Sequence, residues 1–390
     1  MNFFKYQAQT TPHPMGLEIE SAKGSYIYDT KGTSYLDLVA GVSACTLGHS
    51  HPKVVQAIKD QVDQYMHVMV YGEFIQKPAV ELCQLLSELL PAPLEMTYLV
   101  NSGTEAIEGS LKLARLQTGR SEIIAAKNAY HGNTMGSLSL MYYHERKAPF
   151  LPLIPDVKHI TFNCEWCLNQ ITEKTAAVVL ESIQGGAGFI EPINDYLLKV
   201  KNRCEQVGAL LILDEIQPGM GRTGTLFGFE NYKVTPDILV TGKGLGGGLP
   251  IGAFTTSREL MMKFSNHPKL GHITTFGGNP VIASAALATL KEVLSSNLME
   301  AALEKEQLFR KRLRHPAIKE IRGRGLMLAL ITEGSDITNK VITYCFSKGV
   351  ILFWLLYESR AIRITPPLTI NESEINKACD LILEAFENTI

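Results

Sequence analysis

Five short, unbroken apolar runs recur along the chain with helical patterns between them: "YLV" (98–100), "EIIAA" (122–126), "AAVVLE" (176–181), "ALLILDE" (209–215) and "DILV" (237–240). A run without polar alternation has no face to give to water. Such strands are covered on both sides, which predicts an α/β fold with a mostly parallel sheet flanked by helices. Ahead of them, "YIYDTKGTSYLDLVAG" (26–41) reads as a hairpin, and Pro52 opens a helix with Val54, Val55, Ala57, Ile58 and Val62 at its apolar positions. From about Ile282 the pattern changes to long helices, then to "IRGRGLMLALI", "GVILF", "AIRIT" and a last helix, predicting a smaller α+β lobe. At 390 residues the chain exceeds one average core. The organisation expected is a segment 1–47 that joins the small domain, a large domain 48–281 and a small domain 282–390.

A net charge of −2 offers no basic field for nucleic acid. The start, "MNFFKYQAQTTPHP", has no apolar h-region, and no run is long enough to cross a bilayer, so a cytoplasmic protein is expected. Seven scattered cysteines suit reduced thiols. Cys164 and Cys167 form a C-x-x-C, but neither a second ligand pair nor a thioredoxin-like context accompanies them, so the spacing is read as coincidental.

Ligands of open α/β sheets bind beyond the carboxyl ends of strands. Three such ends carry chemistry. In "YLVNSGTEAIEGSLKLARL" a strand runs into Ser102-Gly103-Thr104 and then a helix, whose free N–H groups and dipole attract a phosphate; a plain capping box, Ser102 with Glu105, explains the same residues. Asp214 ends "ALLILD", and a carboxylate after five apolar residues calls for a fixed cationic partner. Lys243 follows "DILV" in a stretch where five of the seven residues 242–248 are glycine. Glycine admits close approach by backbone or ligand, and a desolvated lysine beside other cations becomes a usable Schiff-base amine. A phosphate cradle, a buried anion and an amine on one sheet are what pyridoxal phosphate needs.

The order of motifs then resembles a known family. "LGHSHP" (47–52), "NSGTEA" (101–106), "AYHGNTMGSLS" (129–139), "ESIQGGAG" (181–188), "LDEIQPGMGRTG" (213–224), "GKGLGGGLPIGA" (242–253), "TTFGGNP" (274–280) and "IRITPPL" (362–368) are similar to the motifs of class III (ω-type) aminotransferases, fold-type-I pyridoxal phosphate enzymes that include the acetylornithine and ornithine aminotransferases. The resemblance implies transfer of an amino group between an amino acid or amine and a 2-oxo acid by a ping-pong route, with an aminomutase or decarboxylase as the alternative outcome on the same fold. It implies Lys243 as the aldimine lysine and proton carrier and Asp214 as the partner of the pyridinium. Ser102, Gly103 and Thr104 correspond to the phosphate cradle, Tyr130 to the aromatic stacked on the ring with His131 beside it, and Gln217 to the residue near the ring hydroxyl. Thr275 is similar to a threonine that reaches the phosphate of the neighbouring subunit, which implies a homodimer, and Arg363 to the arginine that grips a substrate carboxylate.

Two positions depart from the best-known relatives. Gly186 stands where a glutamate commonly pairs with the carboxylate-binding arginine, and Asn133 where "HGRT" has an arginine. Gly242, Gly244 and Gly247 satisfy G-x-G-x-x-G, but "LPIGAFTTS" after them reads as a strand, not the helix a dinucleotide fold requires. His49 and His51 lack a carboxylate cluster, so no metal is expected.

Overall fold

The computed structural model describes residues 2–266 and 268–389. Its centre is a seven-stranded sheet in the order Met96–Val100, Gly252–Thr256, Ile238–Gly242, Leu210–Asp214, Thr175–Glu181, Glu122–Ala126, Val157–Ile160. All five apolar runs are in it, and Glu122–Ala126 and Thr175–Glu181 are buried at every residue, as unalternating strands must be. Only Gly252–Thr256, the strand expected after the glycine stretch, runs antiparallel to its neighbours. The other six therefore point their carboxyl ends to one edge. Register aligns that edge: Glu181 lies opposite Asp214, Asp214 opposite Val240, and Lys243 follows the strand end at Gly242.

The helix Pro280–Ser295, at the expected start of the second lobe, packs on the helices Pro52–Gln64 and Lys77–Leu89. It places Ala283, Ala286, Leu290 and Val293 in the same core as Leu211 and Leu213 of the sheet. A second core joins Leu330 and Ile362 of the antiparallel sheet Ile318–Arg324, Met327–Thr332, Ala361–Ile364, Phe353–Trp354 to Phe386 of the last helix. Leu36 and Leu38 belong to that core too, because the hairpin strand Ser34–Asp37 pairs in parallel with Val350–Ile351. Arg222 ties the lobes together: it is 1% exposed and donates Nη1 to the carbonyls of Leu326 at 2.8 Å and Pro366 at 2.9 Å. No helix among the described residues is long and apolar enough to cross a membrane.

Cys164 and Cys167 are joined as a disulfide, which corrects the expectation of reduced thiols at a coincidental spacing. The 3-10 turn Glu165–Gln170 shortens the span between their Cα atoms to 5.4 Å, within disulfide reach. The other five cysteines are free.

His49 does structural work. Its Nε2 lies 2.9 Å from Oδ2 of Asp37, which is 2% exposed and also accepts the backbone N–H groups of Val39 and Ala40. The bond to Asp37 and contact with Cys45 raise the imidazole from 6.5 to about 10. A raised folded-state value favours the protonated ring, so this contribution is complete below 6.5 and is lost as pH rises through about 10. His49→Gln is expected to lower Tm more at pH 6 than at pH 10 in fluorimetric melts; an equal loss at both would show that the charge contributes nothing.

Candidate active site

The helix Gly103–Thr118 starts at the carboxyl edge of the sheet with Gly103 and Thr104 in the wall of a cavity of about 1180 Å³. Its start is tight: a Cβ on Gly103 would lie 2.4 Å from Cδ1 of Ile216. The Ser102 hydroxyl caps the helix by accepting from the Glu105 N–H at 3.3 Å, while the Glu105 carboxylate accepts from the Asn101 N–H at 2.6 Å. The Thr104 hydroxyl bonds Thr134 and Ser137, each at 2.7 Å, and so joins this helix to the short helix Met135–Ser139.

At the centre, Asp214 is 3% exposed. One carboxylate oxygen accepts the Ile216 N–H at 3.0 Å and the other meets Nδ1 of His131 at 2.8 Å. The expected cationic partner is thus His131: burial opposes its protonation, but the bond and charge of Asp214 outweigh that and raise its pKa. Glu181 sits beside Asp214 and accepts the Gly185 N–H at 2.9 Å. Burial, with the Asp214 charge adding to it, raises Glu181 to about 7.

Lys243 takes φ 39° in the 3-10 turn Lys243–Gly246. That left-handed region costs a residue with a Cβ about 1–2 kcal/mol, strain of the kind held at functional sites. Burial pushes its ammonium below the ordinary 10.5, with Arg363 pushing the same way and Asp214 and Glu181 opposing. The neighbouring glycines make room for protein: an added Cβ at Gly244 would lie 2.3 Å from the Thr46 hydroxyl, and one at Gly247, which has φ 59°, 2.2 Å from that of Thr289. They let two other segments close around the lysine turn.

Arg363 comes from the other lobe, on the strand Ala361–Ile364. It is 7% exposed, with Nε and Nη1 lacking any hydrogen-bond partner and with its guanidinium 5.8 Å from the ring centre of Phe189. Burial lowers it to about 10. Among the described residues no carboxylate lies within 4 Å of it. Gly186 cannot supply one, and its missing side chain has been replaced in space: an added Cβ would meet ring atoms of Tyr357 at 2.8 and 3.0 Å. Asn133 donates to the Tyr130 hydroxyl at 3.1 Å, and Tyr130, Gln217 and Asn133 all line the cavity.

The cavity wall thus brings together Gly103, Thr104, Tyr130, His131, Asp214, Gln217, Lys243 and Arg363. Ser102 stands just outside it, and Thr275 is exposed on another surface. Glu181 and Arg146 also line the cavity, and Tyr357 packs against Gly186. Glu181 carries the same signal as Asp214, a carboxylate closing an apolar run; nothing in the local pattern marks Arg146 or Tyr357.

These residues fit pyridoxal 5'-phosphate. A helix start open to the cavity receives a phosphate, and a buried carboxylate with spare lone pairs receives a ring N–H. An amine of lowered basicity suits an aldehyde, and the orphaned donors of Arg363 await an anion. A model of the aminotransferase class-III family matches residues 6–386. The chain is 38% identical to an acetylornithine aminotransferase of Methanopyrus kandleri, over 93% of this chain and 92% of that one, and 39% identical to one of Corynebacterium efficiens, over 93% and 90%. The ornithine aminotransferase of Toxoplasma gondii superposes with a TM-score of 0.92 at 30% identity, covering 99% of this chain and 93% of that one. Motif order, sheet edge and cavity chemistry converge with these likenesses, and the chain belongs to the class-III aminotransferases, enzymes that carry out transamination with pyridoxal phosphate.

Proposed function

We propose that this transaminase prefers donors whose carboxylate sits next to the reacting amine, with Arg363 binding that carboxylate in both half-reactions. The observation that carries this reading is the buried, unpartnered pair of donors on Arg363. A donor presenting only a CH2–NH2 group would leave that guanidinium desolvated and unpaired, at a cost of several kcal/mol. An adjacent carboxylate takes both N–H groups through two parallel bonds.

In the same reading Lys243 is the amine that holds the cofactor and moves the proton, and Asp214, oriented by His131, is the counter-charge of its ring nitrogen. Gly103 and Thr104 hold the phosphate, Tyr130 packs on the ring, and Gln217 stands near its hydroxyl. When bound, pyridoxal phosphate supplies the electron sink that makes the substrate Cα–H acidic. The chain's own work is to anchor, orient and carry that proton.

The protein acts as a cytoplasmic homodimer in this proposal, with Thr275 of each protomer completing its partner's phosphate site. In support, Thr275 lies outside its own cavity on a surface that exposes Phe276 by 54% and, in the segment bonded to Asn279, Met66 by 65%, apolar surface that calls for cover. Contact of Phe276 with His67, centroids 4.7 Å apart, joins the two segments of that patch.

A single-turnover panel tests the donor preference by following the cofactor absorbance with alanine, glutamate, ornithine, acetylornithine and 4-aminobutyrate. Alanine or glutamate should convert the cofactor at least about tenfold faster than acetylornithine or 4-aminobutyrate, the discrimination of one charge-assisted contact. Faster conversion by the ω-amines overturns the reading. Introducing a glutamate at 186 needs room from Tyr357, so Gly186→Glu with Tyr357→Ala is the variant expected to move preference toward ω-amines.

A further inference from the structure

The disulfide between Cys164 and Cys167 lies outside the cavity, and transamination makes no use of it. It joins residues three apart, so it removes less freedom from the unfolded chain than a bridge across a long loop does. A chain of 390 residues whose apolar side chains already form two extensive cores has little need of so small a staple. The turn around it is held by other bonds as well. The Cys167 N–H donates to the Cys164 carbonyl at 3.1 Å, and the Ile171 N–H to that of Leu168 at 3.0 Å. Asn163 ties the turn to a later segment, donating Nδ2 to the Glu191 carbonyl at 2.9 Å and accepting the Ile193 N–H at 3.1 Å. None of these bonds involves a sulfur, so the turn keeps its backbone when the S–S bond opens.

The two cysteines are unequally placed. Cys167 is 8% exposed and belongs to the core that holds Phe162 and Leu168, whereas Cys164 is only partly buried. Beside them Trp166 is 77% exposed, and Ile193, in the segment bonded to Asn163, is 56% exposed. An incoming thiol therefore finds a reachable sulfur with apolar surface next to it and a leaving sulfur sheltered in the core. The buried thiols elsewhere are a contrast. Burial pushes Cys204, Cys345 and Cys379 up to about 12, which keeps them protonated and out of exchange.

We propose that Cys164–Cys167 is a thiol–disulfide exchange site that accepts electrons from a dithiol, with Cys164 the sulfur attacked and Cys167 the sulfur that leaves. A thiolate of the donor attacks Sγ of Cys164; the mixed disulfide forms as the S–S bond breaks, and its electron pair departs on Cys167, which takes up a proton. The donor's second thiol then attacks the donor sulfur of the mixed disulfide and releases Cys164 as a thiol. One protein disulfide and one dithiol become two protein thiols and one donor disulfide, a transfer of two electrons. An added disulfide closes the bridge again by the reverse route.

The test uses the full chain loaded with cofactor, dithiothreitol as donor and glutathione disulfide as acceptor, with each cysteine read by alkylation and peptide mass spectrometry. Dithiothreitol should convert the pair to two alkylatable thiols in the folded protein, with Tm lowered by a few degrees at most, and glutathione disulfide should restore the bridge once the donor is removed. Single variants read the direction of attack. In Cys167→Ser the exposed Cys164 should form a mixed disulfide with glutathione at least about tenfold faster than Cys167 does in Cys164→Ser, because exchange follows access to the sulfur. A bridge that resists dithiothreitol until the protein unfolds, a pair that stays as thiols in glutathione disulfide, or equal rates in the two single variants overturns the proposal.

Discussion

Lys243→Ala is expected to abolish turnover, by a factor on the order of 10⁴ or more, while leaving a folded protein. The site explains both halves of that result. Lys243 is a half-buried residue on the cavity wall whose amine is pushed below its ordinary basicity by desolvation and by Arg363, so its removal takes away reactive chemistry and a desolvated charge together. The turn keeps its strain, because alanine at φ 39° carries the same Cβ that lysine does. The apoprotein Tm should therefore match or exceed that of the native chain. Borohydride treatment of the loaded enzyme should fix pyridoxal phosphate to the peptide containing residue 243 in the native protein and not in the variant. Substantial transaminase activity in the variant, or covalent fixation at another lysine, would show that the amine has been misassigned.

The parts of this site that lie at strand ends were legible in the sequence. Unalternating apolar runs this short, set between helical patterns, read as covered strands, and the residue that ends one lies at the carboxyl edge where ligands bind, which is why Asp214 and Lys243 could be placed from sequence. Glu181 obeys the same rule and was available to the same reasoning. The parts that were not legible depend on contacts between distant segments. Arg146, Tyr357 and Gly186 meet through backbone and ring contacts, including the Tyr357 N–H to the Gly186 carbonyl at 2.9 Å, and no periodicity within any one segment announces them. The glycines around Lys243 signal a close approach by backbone or ligand without saying by which; Gly244 and Gly247 are room for Thr46 and Thr289. Ser102 illustrates competition between two physical explanations: its hydroxyl is spent on the helix cap, and the cavity is lined by the two residues after it.

The apolar pattern also carries less information about lobes than about elements. Alanine and leucine positions in Pro280–Ser295 specify a helix with a buried stripe, but which core receives it depends on Pro52–Gln64 and Lys77–Leu89, about two hundred positions earlier. Likewise Ser34–Asp37 reads as half of a local hairpin, and only its pairing with Val350–Ile351 brings the amino-terminal strands into the second core.

Asp214 should be the next most sensitive position after Lys243, and for a separable reason. Its carboxylate has two duties: it satisfies the Ile216 N–H and the His131 ring, and it presents a negative charge to the cavity. Asp214→Ala removes both, leaving that N–H and Nδ1 of His131 without a partner in an interior where Nε2 already lacks one. Each orphaned group costs about 1–3 kcal/mol, so the Ala variant should melt lower. Asp214→Asn keeps an oxygen for Ile216 and an amide opposite a now neutral His131, and its Tm should lie nearer the native value. Both substitutions delete the charge, and both are expected to lower kcat by about 10²–10³, the loss typical of removing one preorganised electrostatic group from a water-poor site. Stability should thus separate the two variants while activity does not. Weakened cofactor retention on dialysis and a changed cofactor absorbance should accompany both. An Asp214→Asn enzyme with native rate and spectrum would reduce Asp214 to a structural partner of His131, and the counter-charge role would have to pass to Glu181, the only other carboxylate on the described cavity wall.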